Sequence, residues 1–215
     1  MWQSVLKGCS VLPLARTVRG PRRTGYSLGA SPRYRVNDHL TFRYSLDWSL
    51  RNNQIGYVNG GLRDSEPLDQ PFLGQTLLGR RNVATISNVV SVAYTFTNRM
   101  SFTLRARQYT SNVHYAGFST LGPDGGEQTA AYQRNRDNTY NAFNVDAMYS
   151  WWFAPGSQVS IVWKNAGTAS LLAEEATPQF FNNFSRTINT PHNNSVSVKV
   201  LYYLDYLALR KTGRR

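Results

Sequence analysis

Apolar and polar residues alternate along most of this chain with a period of two. The cleanest stretch covers residues 40–50. Leu40, Phe42, Tyr44, Leu46, Trp48 and Leu50 fall on one side, and Thr41, Arg43, Ser45, Asp47 and Ser49 on the other. A helix would scatter these residues around its axis, whereas successive side chains of a strand point to opposite faces. The same alternation predicts strands over residues 25–36, 81–96, 100–115, 139–153, 158–165 and 195–206, about seven long strands in all. Residues 177–188 break the pattern: Phe180, Phe181, Phe184 and Ile188 recur at helical spacing after Pro178, which predicts a short amphipathic helix. Such a helix would enter a barrel mouth or lie on a membrane interface; the alternative is a loop packing its own aromatics.

The connections fall into two kinds. Asn37-Asp38, Thr97-Asn98-Arg99 and Ala154-Pro155-Gly156-Ser157 are tight; in the last, Pro presets φ and Gly supplies positive φ for a type II turn. Residues 54–79, 116–138 and 166–193 are long and polar, and Gly122-Pro123-Asp124-Gly125-Gly126 reads as a loop tip. Short turns on one side and long loops on the other is the plan of an outer-membrane β-barrel. The expected fold is therefore all-β, an antiparallel up-and-down transmembrane β-barrel. Such barrels use even strand numbers in bacteria. Seven strands, the first starting on the long-loop side, lead to the expectation that an upstream strand is missing and that this is the C-terminal part of a larger barrel. The chain divides into an irregular or artefactual segment 1–22, a barrel segment 23–207 and a basic tail 208–215. Segment 1–22, Arg-bearing and acid-free, also loosely resembles a mitochondrial transit peptide.

Composition narrows the classes. Charged residues are 17% of the 215, and aromatic residues are 13%. That aromatic share argues against disorder despite a net charge of +12. No run of about 18 apolar residues offers a membrane helix, but a barrel strand needs only about 9–11 residues, half of them polar. The mean hydropathy of −0.44 is therefore compatible with a membrane wall. A single cysteine, Cys9, excludes an internal disulfide and a cysteine metal site. The positive charge is partly terminal and suits a barrel lumen or lipid headgroups better than nucleic acid.

Candidate chemistry follows from the alternation. Arg43, Asp47, Arg105, Arg107, Asp146, Lys164, Lys199 and Asp205 occupy polar positions of the predicted strands. A lipid-facing Arg or Lys near mid-bilayer costs about 2–4 kcal/mol, so these eight are expected to face a lumen. There they would either meet anionic or sugar-like solutes or brace the wall as a ladder of ion pairs. Trp48, Trp151, Trp152, Tyr94, Tyr109, Tyr149, Tyr202, Tyr203 and Tyr206 lie largely near strand ends, as an aromatic girdle requires. His39, His114 and His192 fall at a turn, a strand end and a loop exit. A hydrolase would need His114 or His192 beside a nucleophile such as Ser111 or Ser119, yet no GxSxG elbow surrounds these serines. No catalytic residue, metal ligand or cofactor site is expected.

The stretch NAFNVDAMYSWWFAPGSQVSIVWKNAG (residues 141–167) resembles the C-terminal barrel of a family catalogued as domain of unknown function 5916, found mainly in Bacteroidota-type bacteria. The ending NTPHNNSVSVKVLYYLDYL (189–207) shares the likeness, as do GRRNVATISNVVSVAYTFTNRMSFTLRAR (79–107) and SPRYRVNDHLTFRYSLDWS (31–49). The resemblance implies an outer-membrane barrel preceded, in longer members, by a family-9-like carbohydrate-binding sandwich that is absent here. It implies no catalytic motif. The expected function is anchoring or solute passage at the bacterial outer membrane, linked to carbohydrate binding or uptake. Expected partners are outer-membrane lipid, the barrel assembly machinery and, through the missing domain, carbohydrate. The rival readings are an outer-membrane barrel hydrolase with its site at the outer rim, and a soluble β-barrel or sandwich binder with the 40–50 apolar face inside.

Overall fold

The computed structural model describes residues 9–18, 23–58, 72 and 75–204. Asp205, Tyr206 and the basic tail lie outside the described residues, as do parts of segment 1–22. Eight strands form an antiparallel meander: β1 (Cys9–Val18), β2 (Thr24–Arg35), β3 (Leu40–Tyr57), β4 (Leu77–Thr97), β5 (Met100–Leu121), β7 (Asn138–Ala154), β8 (Ser157–Leu172) and β9 (Asn193–Leu201). A short strand, β6 (Glu127–Thr129), pairs with the end of β5 beyond the Gly122–Gly126 tip. The sheet is open among the described residues: β1 and β9 each pair on one side.

A strand forms at each of the seven stretches where the period of two was read, with the last ending at Leu201 rather than 206, and in several the hydrogen-bonded ladder outlasts the alternation. Strands β3, β5 and β8 run on to Tyr57, Leu121 and Leu172, well into the stretches expected as loops. Backbone pairing needs a neighbour rather than alternating side chains, so the ladder continues after the faces cease to differ.

Two expectations are corrected at the N-terminal edge. Segment 1–22 is not irregular throughout, since Cys9–Val18 forms a strand along β2. The register slips between Leu12 and Ala15, around Pro13. A proline without an N–H is accommodated at an edge strand with such an irregularity, and the slip hides the alternation. The long strands therefore number eight rather than seven, and the first of them starts on the short-turn side. The odd count no longer argues for a missing strand.

The turns hold the register. Asn37 Oδ1 accepts the His39 and Leu40 N–H groups at 2.9 and 2.8 Å, closing β2 onto β3. Gly156 takes φ +69° between β7 and β8. The expected helix forms as α1 (Phe180–Asn189), after a one-turn 3-10 helix at Ala173–Glu175. It packs against β7, β8 and β5 on the apolar side of the sheet, away from the polar face.

No continuous core separates two layers. The buried apolar residues among those described are Val58, Leu77, Tyr132 and Leu171. Three of them join Phe72, Tyr115 and Phe118 in a small cluster at the long-loop end. At the short-turn end Tyr94, Phe96 and Tyr149 pack edge to face, with Trp151 against Phe153 and Phe153 stacked on Tyr202. Of the aromatics read from sequence, Tyr94, Tyr149, Trp151 and Tyr202 meet here; Tyr109 points to the polar face, Trp48 sits mid-strand opposite Ile86, and Tyr206 lies outside the described residues.

Gly156→Ala is expected to lower stability by about 1–3 kcal/mol, because a Cβ at positive φ is strained and would meet Tyr203 at 2.9 Å. The urea midpoint followed by tryptophan fluorescence measures this; an unchanged midpoint refutes it.

Candidate functional site

Strand register decides which side chains meet. Arg33, Arg43, Ser91, Arg105, Asp146, Lys164 and Ser195 pair in sequence across β2, β3, β4, β5, β7, β8 and β9, giving one charged row on one face. Arg107 lies one step along β5, opposite Asn144, and Asp47 pairs with Ser87, itself opposite Tyr109. Lys199 sits opposite Ser160, in a row continued by Ser150, Ser101 and Thr95. Seven of the eight residues singled out from sequence thus share the polar face, all of them exposed; Asp205 is outside the described residues. Among the described residues no ion pair joins them. Arg105, Asp146 and Lys164 are cross-strand neighbours whose charged groups remain apart, so the wall is not braced by a ladder of salt bridges there.

The polar face encloses a recess of about 870 Å³ between β2, β3, β4 and β5. Asp47, Arg51, Gln54, Arg81, Tyr109 and Ser111 line it, with Ser27, Ser49, Thr85 and Ser87. It continues into a second recess of about 540 Å³ that reaches Arg23, Thr24 and Tyr26. Asp47 is the one residue of the sequence-derived set that lines the larger recess. Arg51, Gln54 and Arg81 were not singled out, and for Gln54 the reason is local. Strict alternation would place Gln54 with Leu50 on the apolar side. A bulge between Arg51 and Gln54 inserts an extra residue, with Asn53 at φ 55°, and brings Gln54 opposite Arg81. A bulge re-aims side chains in this way at sites where a strand must change face. The Asn52-Asn53 doublet, tolerant of positive φ, was the sequence signal. Arg81 reaches Tyr115 Oη with Nη1 at 3.4 Å, while its buried Nε has no hydrogen-bond partner.

The opposite face carries a polar feature that alternation did not suggest. Tyr44 Oη donates to Asn88 Oδ1 at 2.6 Å, and Asn88 Nδ2 donates to Gln108 Oε1 at 2.7 Å. Gln108 Nε2 donates to Thr110 Oγ1 at 2.6 Å, and Thr110 Oγ1 donates to Asn141 Oδ1 at 2.8 Å. Every bond of this chain runs in the same direction across β3, β4, β5 and β7. Gln108, Thr110 and Asn141 are buried, so the groups in these bonds are satisfied by each other instead of by water, whereas the buried Nδ2 of Asn141 has no partner.

The histidines separate into different environments. His114 Nδ1 lies 2.6 Å from Asp137 Oδ2, and Asp137 Oδ1 accepts the Tyr115 N–H at 2.7 Å. Ser111 bonds instead to Thr85, and Ser119 is paired opposite Thr129 on β6. His192 has both ring nitrogens engaged, at 2.7 Å from Asn165 Oδ1 and 2.9 Å from the Thr187 carbonyl. It pins the end of α1 to the sheet and stands apart from His114. His39 bonds the Thr95 carbonyl at 2.7 Å beside the β2–β3 turn. Among the described residues no cluster of three His, Cys, Asp or Glu forms a metal-ligand set.

A meander with one charged face, one apolar face and these turns can be set beside known families. The family model described as a domain of unknown function (DUF5916) matches residues 11–213. The chain belongs to the DUF5916 family. No curated protein and no solved structure matches it. The DUF5916 match begins within β1 and extends past β9, so the recess and α1 both lie inside the family's own boundaries.

In this DUF5916 chain Thr110→Val removes the hydroxyl that links Gln108 to Asn141 while keeping the side-chain shape. It strands a buried donor and a buried acceptor, for an expected loss of about 1–3 kcal/mol in unfolding free energy. A variant as stable as the parent, measured by urea unfolding, refutes the linkage.

Proposed function

We propose that this chain forms part of the wall of an outer-membrane β-barrel, with its charged face towards a water-filled lumen and its apolar face in lipid. The observation that carries the reading is the exposure of that apolar face. Val196, Val198 and Val200 are 67%, 63% and 61% exposed, and Phe42, Val90, Trp151, Ile161 and Trp163 join them on the same side. A soluble domain would cover such a contiguous surface. A lipocalin-like barrel would turn it inward, yet the recess lies on the opposite face.

Dimensions support the same reading. On β3 the apolar run from Leu40 to Leu50 extends about 33 Å, or about 25 Å along a membrane normal at a strand tilt of about 40°. The run is staggered between strands. On β3 it reaches Leu50. On β9 it stops at Val196, whose register traces back through Trp163, Ala147, Leu104 and Val92 to Phe42, eight positions lower on β3. A tilted wall crossing a flat bilayer requires a shift of about 1.2 residues per strand, or about six over these five steps. Closure of the open sheet, by β1 with β9 or by further strands, completes the barrel. The lumen would pass or hold polar solutes at the recess, where Arg51, Arg81 and Asp47 suit anionic or sugar-like molecules; a carbohydrate role and bacterial outer-membrane placement belong to this proposal.

The test is cysteine scanning of β9 in a Cys9→Ser background, with the protein in its native membrane. Cysteines at Ser197 and Lys199 are expected to react with a membrane-impermeant maleimide, and those at Val196, Val198 and Val200 to resist it. Equal reactivity of both sets overturns the wall. Charge reversal at Arg51 and Arg81 to Glu is expected to shift the ion selectivity of reconstituted protein from anions towards cations in planar-bilayer recordings. Unchanged selectivity removes the recess from the conduction path.

A further inference from the structure

Helix α1 has three faces where an amphipathic helix has two. At about 100° per residue, Phe180, Phe184, Ile188 and Phe181 fall within one arc, and Ser185, Asn189, Asn182 and Arg186 within a second. Asn183 and Thr187 form the third. The residues buried against the sheet are Asn183 and Thr187, the polar pair. Asn183 Nδ2 donates to the Thr177 carbonyl at 2.8 Å and Thr187 Oγ1 to the Asn183 carbonyl at 2.7 Å. Within the aromatic arc Phe181 is 81% exposed and Ile188 45%, while Phe180 and Phe184 are half-buried. Hydrophobic burial on the sheet does not account for this arrangement, because the helix turns its best apolar residues sideways.

The helix position explains the third face. Its N-terminal end is tied where Thr139 Oγ1 donates to the Thr177 carbonyl at 3.3 Å, at the long-loop end of β7. Phe184 meets Phe143 edge to face at 5.8 Å. The C-terminal end is tied lower down, where His192 bridges Thr187 and Asn165. The helix thus descends from β7 towards β9 along the staggered upper edge of the apolar run. With Asn183 and Thr187 against the sheet, the Phe181–Ile188 arc and the Arg186 arc lie on different sides of the helix. Residues 177–193 contain no acid, and Arg186 is the helix's one charge, which suits anionic headgroups.

We propose that α1 lies in the headgroup–acyl boundary of the bilayer on the long-loop side, with Phe181 and Ile188 inserted among the acyl chains and Arg186 among the headgroups. This rests on the reading of the sheet as a membrane wall. The helix then marks the height at which the wall leaves the lipid and resists its sliding along the normal.

The test uses the full chain in a Cys9→Ser background, with single cysteines at Phe181, Ile188, Asn182 or Val198 carrying a bimane fluorophore. The protein is reconstituted in phosphatidylcholine vesicles and in equimolar phosphatidylcholine–phosphatidylglycerol vesicles. At Phe181 and Ile188, lipid nitroxides placed near the headgroup are expected to quench about threefold more than aqueous iodide, with the reverse at Asn182. At Val198 a nitroxide deep in the acyl chains is expected to dominate. Iodide quenching at Phe181, with Val198 still quenched by the deep lipid probe, overturns the inference and leaves the wall standing. Shielding of Phe181 from both quenchers shows that protein covers it and also overturns the inference. Loss of lipid quenching at Val198 overturns the wall itself, and the inference with it.

Discussion

The antiparallel register is the interaction on which everything else in this protein depends. Because side chains alternate with a period of two, a slip of one residue in any strand pair would move that strand's charges to the apolar side. In the membrane setting proposed above, each Arg or Lys so displaced would cost about 2–4 kcal/mol, so several charges per slip outweigh the small preference of a ladder for one register over another. The Asn37 side chain at one turn and the positive φ of Gly156 at another hold the pairs where the row from Arg33 to Ser195 stays intact. The charges are kept on one face by the backbone, without mutual ion pairs. That leaves them free for water or solute.

Where the period of two is interrupted, the interruption has a local cause and a local use. The Asn52–Asn53 bulge turns Gln54 to the polar side and places it opposite Arg81, which widens the polar lining of the recess. On the other face, the chain of bonds from Tyr44 to Asn141 lets polar residues sit among apolar ones without unpaired groups along its length. That chain ends beneath α1, where the buried Nδ2 of Asn141 and Oδ1 of Asn183 both lack partners.

Most of the strand plan was legible in the sequence, because alternation and turn chemistry are local properties. The runs 40–50 and 139–153, the Asn37 and Pro155-Gly156 turns and the helix after Pro178 all stand where they were read. Strand β1 was not legible, since Pro13 and the slipped register erase the period that would have marked it. Of the recess, Asp47 could be read and Arg51, Gln54 and Arg81 could not. A one-residue bulge reassigns faces without changing composition, and only the pairing partner reveals it. The histidines show the same limit: a place at a strand end or a loop exit did not reveal their partners, and the sheet assigns His114 to Asp137 and His192 to the helix end.

The sequence by itself determined the two-faced character of the sheet, because the period of the side chains is built into extended backbone. It also determined the family and the order of short turns and long loops. Tertiary structure alone decided the cross-strand register, the position of the recess, the apolar-face hydrogen-bond chain and the side of the sheet that α1 covers. Each of these depends on which residues from distant strands are brought opposite one another, and that is a property of pairing rather than of any one segment.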